Sequence, residues 1–289
     1  MPILLFTPEN TASANIAKQM IELFGYKNVK KGIWENMGTK LIETSGDVLE
    51  VPTDFDTDCI IVLSTHKGMQ GKPTLTAHVP GNWNDAQFGG EPRTLNIMHA
   101  VLLKYILLEM KKAGNEEKLD WEIAMEADHH GPTCDVPILF AEIGSTEKEW
   151  ANETAAKVVA TAVQKAILRL QSSVLDSEGK CRCPKSQDSK PKTEFKTRDS
   201  GLKTIIGFGG GHYCREFTKV MLEEDSTAVG HVAPKYTIDS IDADIFRQAI
   251  EKNVDKVDRI LILKDGTNLE QKNKIKKLAE EFGLEAELI

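Results

Sequence analysis

The sequence predicts an α/β fold: a mixed, largely parallel sheet flanked by helices, in a single domain over residues 1–289. Three observations carry that reading. Short apolar runs bounded by Pro, Gly, Asn and Asp alternate with stretches of helical period. The first run, "ILLFT" (3–7), is apolar throughout, as a buried strand is. The chain ends in a strand–helix–strand run, which favours parallel neighbours.

The elements follow in order. After "ILLFT", Asn10 or Thr11 can cap a helix in which Ile16, Met20 and Leu23 recur at helical spacing, and Gly25 can end it. "KLIETSGDVLEV" (40–51) reads as a hairpin around Ser-Gly-Asp. "DCIIVLSTHK" (58–67) is a β-branched strand that delivers His66. In "TLTAHVPGN" (74–82), Leu75, Ala77 and Val79 face one way and Thr74, Thr76 and His78 the other. "NWNDAQFGGEP" (82–92) is a loop. A helix is expected from Thr94 to about Lys112, with His99 inside it as a structural residue and Gly114 as its stop. Strands at 121–128 and 137–144 flank "EADHHGPTCD". Thr146 and Glu149 suggest a capping box for a helix continuing to Leu170.

Residues 171–200 lack periodicity and read as a flexible surface insertion. Beyond it come a strand at 203–208 entering "GFGGGH", a helix from Arg215 to Glu224, and a strand near 226–233. Ser240 can cap a further helix; "DRILIL", a helix from Leu269 to Phe282, and "EAELI" close the chain.

Composition excludes several classes. Hydrophobic residues make up 40% and charged residues 28%, as in soluble globular domains, and no run is long enough for a membrane helix. The start lacks the basic region of a secretory signal, and five cysteines, an odd number, argue for a reducing compartment, so a cytoplasmic location is expected. The net charge of -8 opposes non-specific nucleic-acid binding, although residues 180–198 hold seven Lys or Arg and form the most basic stretch. "CRC" (181–183) has no second pair to complete a zinc ribbon, and Cys134 does not resemble an activated thiol at a helix start.

Six of the seven histidines fall at or near predicted strand ends: His66, His78, His129, His130, His212 and His231. Glu126 and Glu142 lie in or near the same strands. In open α/β sheets ligands gather outside the strands' carboxyl ends, so these residues are expected to converge there. Imidazole with carboxylate suits zinc, though no local metal-binding spacing occurs. In a continuing strand His129 and His130 would face opposite sides, and Gly131-Pro132 offers the break that lets both serve one site. The "GFGGGH" turn lacks the third glycine of a dinucleotide fingerprint and the Lys of a P-loop. Its backbone N–H groups are nevertheless suited to approach a phosphate or adenosine.

"STHKGMQGKPTLTAHVPGN", "MEADHHGPTCDVPILFAEIGSTEKEW", "GFGGGHY" and "GHVAPKY", in this order, resemble the archaeal-type D-aminoacyl-tRNA deacylases, a family that also has plant members. The resemblance runs from Met1 to about Leu170, resumes at Lys203, and does not include 171–200 with its CRC. It implies a fold related to nucleoside phosphorylases and peptidyl-tRNA hydrolases. It also implies a Zn2+-dependent hydrolase that cleaves the ester between a D-amino acid and the 3′-terminal ribose of tRNA.

These residues fall within the family's motifs, which do not themselves say which hold metal; the expectation is that His66, His78, His129, His212 and His231 hold metal and that Glu126, His130 and Glu142 act in catalysis. Gly209, Gly210, Gly211, Lys67, Lys72 and Lys235 are expected to bind the tRNA end. Assembly as monomer or homodimer is open. A peptidyl-tRNA hydrolase, a nucleoside phosphorylase-like enzyme and a non-catalytic RNA-end binding module remain as alternatives.

Overall fold

The computed structural model describes residues 1–68, 71–174 and 201–289. The chain begins with β1 (Ile3–Phe6), α1 (Thr11–Phe24), β2 (Lys27–Lys30), β3 (Ile33–Asn36), β4 (Thr39–Glu43), β5 (Ile60–Lys67), β6 (Thr74–His78), β7 (Gly81–Asn82) and β8 (Thr94–Leu95). It continues with α2 (Ala100–Glu116), β9 (Glu122–Met125), β10 (Ile138–Ser145), α3 (Glu147–Trp150) and α4 (Glu153–Val174). The last part comprises β11 (Lys203–Phe208), α5 (Arg215–Glu223), β12 (Thr227–Ala233), α6 (Ala243–Glu251), β13 (Val257–Ile262), α7 (Leu269–Glu281) and β14 (Glu285–Leu288).

The strands form two main sheets. One has eight strands in the order β2-β3-β4-β1-β5-β10-β6-β9; the other has four, β12-β11-β13-β14, all parallel. In the larger sheet the pairs around β1, β5 and β10 are parallel, whereas β6 runs antiparallel to β10 and β2-β3-β4 is an antiparallel meander. The mixed, largely parallel architecture is therefore as expected.

Period-two alternation decides what each face carries. In β1, Leu4 and Phe6 join the core beneath α1, α2 and α4, while Ile3 and Leu5 join the core on the opposite face. The same parity sends Ile61 and Leu63 of β5 and Leu139 and Ala141 of β10 to the helix side. Their alternates, Ile60, Val62, Ile138 and Phe140, go to the other. Both faces are buried, so these strands read as continuous apolar runs. A further core, including Phe208, Phe246 and Ile262, belongs to the smaller sheet. Lys104 ties the two halves: from α2 its buried ammonium donates to the carbonyls of Met221 and Glu224 at the end of α5, both at 2.7 Å.

Several local expectations are corrected. The hairpin near 40–51 is instead β3 turning into β4, because Ile33–Asn36 pairs with Thr39–Glu43 and a 3-10 turn follows at Val48–Glu50. Helix α2 starts at Ala100 rather than Thr94, since Thr94 and Leu95 are held extended against Asn82 and Gly81. It also runs past Gly114 to Glu116. The Thr146 hydroxyl bonds the Glu149 side chain instead of completing a capping box, and α3 stops after one turn. Asn152 then starts α4 by accepting from Ala155 N–H at 2.9 Å. Asp242, not Ser240, caps α6. Residues 171–174 of the expected insertion complete α4; the remainder, 175–200, lies outside the described residues.

His99 is the N-cap of α2, its Nδ1 accepting from Leu102 N–H at 3.4 Å. Burial lowers its pKa from 6.5 to about 4, because a charged ring there would be both desolvated and unable to accept. The folded state thus binds this proton less tightly than the unfolded chain does. Stability is full above about pH 6.5 and falls as pH drops toward 4. Unfolding free energies at pH 7.5 and pH 5 should show the wild type losing about 2 kcal/mol more than His99→Asn over that interval.

Candidate metal centre

Strand parity assembles the first part of the site. His66 on β5, His78 on β6 and Glu142 on β10 share the face that also carries Val62 and Phe140. Phe140 lies opposite His78 and Gly144 opposite His66, so Glu142 falls between the two imidazoles. Its Oε2 is 3.8 Å from His66 Nδ1 and 3.8 Å from His78 Nε2. These side chains converge across the sheet face, not outside one set of carboxyl ends. The cause is the antiparallel β6, whose C-terminus points the opposite way from those of β5 and β10.

Three segments close over this face. Glu126, just beyond β9, bridges to Tyr213 after β11. His129 pairs with Pro80 beyond β6. His212 comes from the smaller sheet, its carbonyl accepting from Ala127 N–H at 2.9 Å. The fully buried Glu126 carboxylate then lies 3.1 Å from His66 Nδ1, 2.8 Å from His212 Nε2 and 3.6 Å from His129 Nε2. None of these approaches is aligned as a hydrogen bond, so both Glu126 oxygens are buried with unspent accepting capacity.

His129 and His130 do reach one site. The break is at His130 itself, which adopts φ of 50°. That left-handed conformation is uncommon for a non-glycine residue and turns the ring back toward its neighbour. The two ring centroids are 4.3 Å apart, and those of His78 lie 4.3 and 4.9 Å from them. Gly131 is required for a different reason than positive φ: a Cβ there would sit 2.4 Å from the Gly90 nitrogen.

The Nδ1 atoms of His78, His129 and His130 face the carbonyls of Val79, Ala127 and Gly131 at 3.1, 2.8 and 2.5 Å. A carbonyl only accepts, so each Nδ1 carries a hydrogen, and in the neutral ring each Nε2 keeps its lone pair. These three residues can place ligand atoms within 4.8 Å of one another, and His78 Nε2 is buried without a hydrogen-bond partner. Two overlapping groups, His66–Glu126–His212 and His78–Glu126–Glu142, bring their ligand atoms equally close.

Electrostatics separates the imidazoles. Burial holds His129 well below its usual range, with His78 and His130 adding to the effect; burial and His78 push His130 down to about 3. Both rings are therefore neutral near pH 7. Burial opposes charge on His78 and His66 too, but Glu142 and Glu126 overcome it, raising His78 to about 9 and His66 above its usual value. Burial likewise opposes charge on Glu126, yet His212 and His66 hold it well below the usual carboxylate range.

The remaining expected residues divide. His231 is not part of the cluster. It is fully buried, its Nδ1 bonded to Asp128 at 2.7 Å and its Nε2 to the Lys252 carbonyl at 2.9 Å, so no nitrogen is left for a metal. His130, expected among the catalytic groups, lies with the ligand-type imidazoles. The glycine turn is also corrected as an anion cradle: Gly209 N–H donates to Ala233 and Gly210 N–H to Gly266. Gly211 stays open, since a Cβ there would meet no atom within 4 Å.

A cavity of 1130 Å³ lies between the two sheets, lined by His66, Gly210, Gly211, His212, Lys67 and Lys72 among others. Lys72 is paired there with Glu122; Lys235 is exposed and lies outside this lining. Tyr213, which sequence reasoning did not single out, also lines it, with its hydroxyl 2.6 Å from His66 Nε2. Its one sequence signal was its position next to His212.

The D-aminoacyl-tRNA deacylase profile matches residues 53–287. The chain belongs to the D-aminoacyl-tRNA deacylase family. It is 33% identical to D-aminoacyl-tRNA deacylases of Thermococcus onnurineus and Pyrococcus horikoshii, over 99% of this chain and 98% of each relative. It is also 33% identical to that of Saccharolobus islandicus over 88% of this chain and 92% of the relative. A crystal structure of a conserved protein of unknown function matches the fold with a TM-score of 0.78 and 26% identity, over all of this chain and 94% of the other. Among the described residues of this deacylase-family chain, no helix is long and apolar enough to cross a membrane.

His231→Leu tests the separation of His231 from the cluster. It takes the imidazole away from the buried Asp128, whose Oδ1 keeps Val232 N–H, and from the Lys252 carbonyl, which keeps Met98 N–H; loss of the buried ion-pair partner should cost about 3–5 kcal/mol in denaturant unfolding. Bound-metal stoichiometry in the folded variant should equal that of the wild type.

Proposed function

We propose that this chain is a hydrolase that cleaves the ester joining a D-amino acid to the 3′-terminal ribose of tRNA, using zinc held by His78, His129 and His130. Family membership supports the reaction. The observation that supports the metal is the trio of clustered imidazoles whose Nδ1 atoms each meet a backbone carbonyl, which leaves Nε2 as the ligand atom of each ring. Three nitrogen ligands leave a fourth position for water or substrate, as catalytic zinc requires.

Bound there, zinc would supply a Lewis acid and a water whose pKa is lowered toward ~7. The chain's own groups then manage position and protons. The His129 ring meets His212 edge-on with centroids 4.4 Å apart, and His212 lines the cavity, so the buried trio meets the open space along that edge. The ester enters from the cavity, and the amino acid's carbonyl carbon lies beside the His129–His212 contact.

Glu126 stays ionised and takes up positive charge on the surrounding imidazoles as protons move. Burial, with Glu126 adding to it, raises the Tyr213 pKa, so the phenol remains a donor. As water oxygen bonds to the carbonyl carbon and the ester C–O bond breaks, Tyr213 protonates the departing ribose oxygen and recovers a proton from His66 Nε2–H, whose charge the nearby Glu126 stabilises; the proton given up by the water restores the charge on His66. Lys67 and Lys235 contribute positive charge for acceptor-end phosphates.

Substitution of His129 or His130 by Ala should lower bound zinc, measured by mass spectrometry, and reduce release of D-amino acid by at least ~100-fold; a chelator should do the same to the wild type. Full zinc and full activity in both variants would sink the assignment. Tyr213→Phe should keep its zinc and lose about 10²-fold in kcat. An RNA-end binding module would instead hold tRNA after chelation and release no amino acid.

A further inference from the structure

Two exposed aromatic residues stand on the loops that border the site. Among the described residues, Phe88 and Tyr236 are the large aromatic side chains left open to solvent, at 66% and 65%. Neither belongs to a core cluster. Each is carried by backbone bonded directly beside a site histidine. The Phe88 carbonyl accepts from Gly131 N–H at 3.0 Å, one residue after His130. The N–H of Lys235, next to Tyr236, donates to the Gly210 carbonyl at 2.9 Å, two residues before His212.

The loops are fixed rather than loose. Asn82 donates to the carbonyls of Gly89 and Glu91 at 3.0 and 3.2 Å, and Glu91 N–H donates to Thr133 Oγ1 at 2.8 Å. On the other side, Gln271 donates to the Lys235 carbonyl at 3.2 Å and Lys274 to that of Asp239 at 2.6 Å. The loops are also joined to each other: Arg93 donates to the Ser240 carbonyl at 3.0 Å and to Asp242 at 2.6 Å, and the Ser240 hydroxyl bonds Asn84. Phe88 and Tyr236 thus sit on one continuous, hydrogen-bonded rim.

An exposed aromatic on mobile backbone gains little from stacking, because ordering the loop consumes the gain. On a rim already held by backbone hydrogen bonds, a planar apolar face is ready for a flat ligand. Unpaired nucleobases are such ligands, and single-stranded RNA ends are recognised by stacking on aromatic side chains. The exposed Lys235 adjoins Tyr236 and supplies charge where a phosphate would accompany the base.

We propose that Phe88 and Tyr236 form a stacking rim for the unpaired nucleobases at the 3′ end of the substrate RNA, holding the terminal ribose over the histidine cluster. The proposal rests on the deacylase reading for the identity of the ligand, and not on which residues hold metal. The rim acts in binding, so its signature lies in KM.

The test is steady-state hydrolysis of D-phenylalanyl-tRNA by the zinc-loaded full chain. Phe88→Ala and Tyr236→Ala should each raise KM roughly 5- to 100-fold with kcat within about twofold of wild type. Phe88→Trp should keep KM near the wild-type value, whereas Phe88→Leu, apolar but not planar, should behave like the alanine variant. Both side chains are solvent-exposed, and unchanged thermal unfolding would confirm that each variant folds. Unchanged KM in both alanine variants overturns the proposal, as does full rescue by Leu or a loss confined to kcat. A wild type that releases no D-phenylalanine would instead defeat the deacylase reading itself.

Discussion

A carboxylate without access to water must be surrounded by donors or positive charge, and Glu126 is such a group. It draws His66 from the larger sheet and His212 from the smaller one to within about 3 Å, so its charge joins the two halves of the protein at the site. The same charge divides the imidazoles. His66 and His78, where Glu126 and Glu142 outweigh burial, hold a proton more tightly than usual, while burial and the neighbouring rings make His129 and His130 give theirs up. Environments that push like groups apart in pKa are how one pocket obtains proton carriers and lone-pair donors at a single pH. His78 belongs to both classes. Its Nε2 faces Glu142 and otherwise has no partner, so a cation held there would take the place of the proton.

The geometry of the trio depends on a second constraint, the close approach of two backbones. Gly90 and Gly131 pass so near that a Cβ on Gly131 would meet Gly90 N, Gly89 C and Gly90 Cα within 3.0 Å. With Gly131 pinned there by its bond to Phe88, His130 must take up the turn, and its φ of 50° is the consequence. A strained torsion beside a ligand-type imidazole is tolerated because the surrounding bonds leave no alternative. The loop carrying Gly89 and Gly90 therefore positions the site it borders.

Much of this was legible in the residues. The runs at 3–7, 58–67 and 137–144 read as strands because both their faces are apolar, and parity along 74–79 correctly set His78 opposite Leu75 and Ala77. The polar β2 and β3 escaped notice: "KNVK" is exposed throughout and "IWEN" only half-buried, so neither shows alternation. Thr94 looked like a cap because nothing local reveals its pairing with Asn82. The site was legible as a set of residue types and opaque in its partition. His231 carries the same chemistry as His212. Only the folded chain shows that Asp128 and the Lys252 carbonyl occupy both its nitrogens. Likewise "GFGGGH" offered backbone amides to an anion, but carbonyls from 233 and 266, distant in sequence, take those of Gly209 and Gly210.

Chemistry and recognition are carried by different kinds of structure. His66, His78 and Glu142 sit on paired strands whose register leaves them little freedom, which suits groups that must keep their mutual distances to within fractions of an ångström. The exposed Phe88 and Tyr236 sit between such elements, where a long polyanionic substrate can be met over a wide surface. The net charge of -8 adds a requirement. Long-range attraction toward RNA is weak for such a chain, so affinity must come from short-range contacts at the acceptor end. Stacking is a contact of that kind, because it does not depend on net charge and every base offers a planar face. An acidic protein acting on RNA is then not a contradiction, because the contacts that hold the RNA end do not depend on net charge.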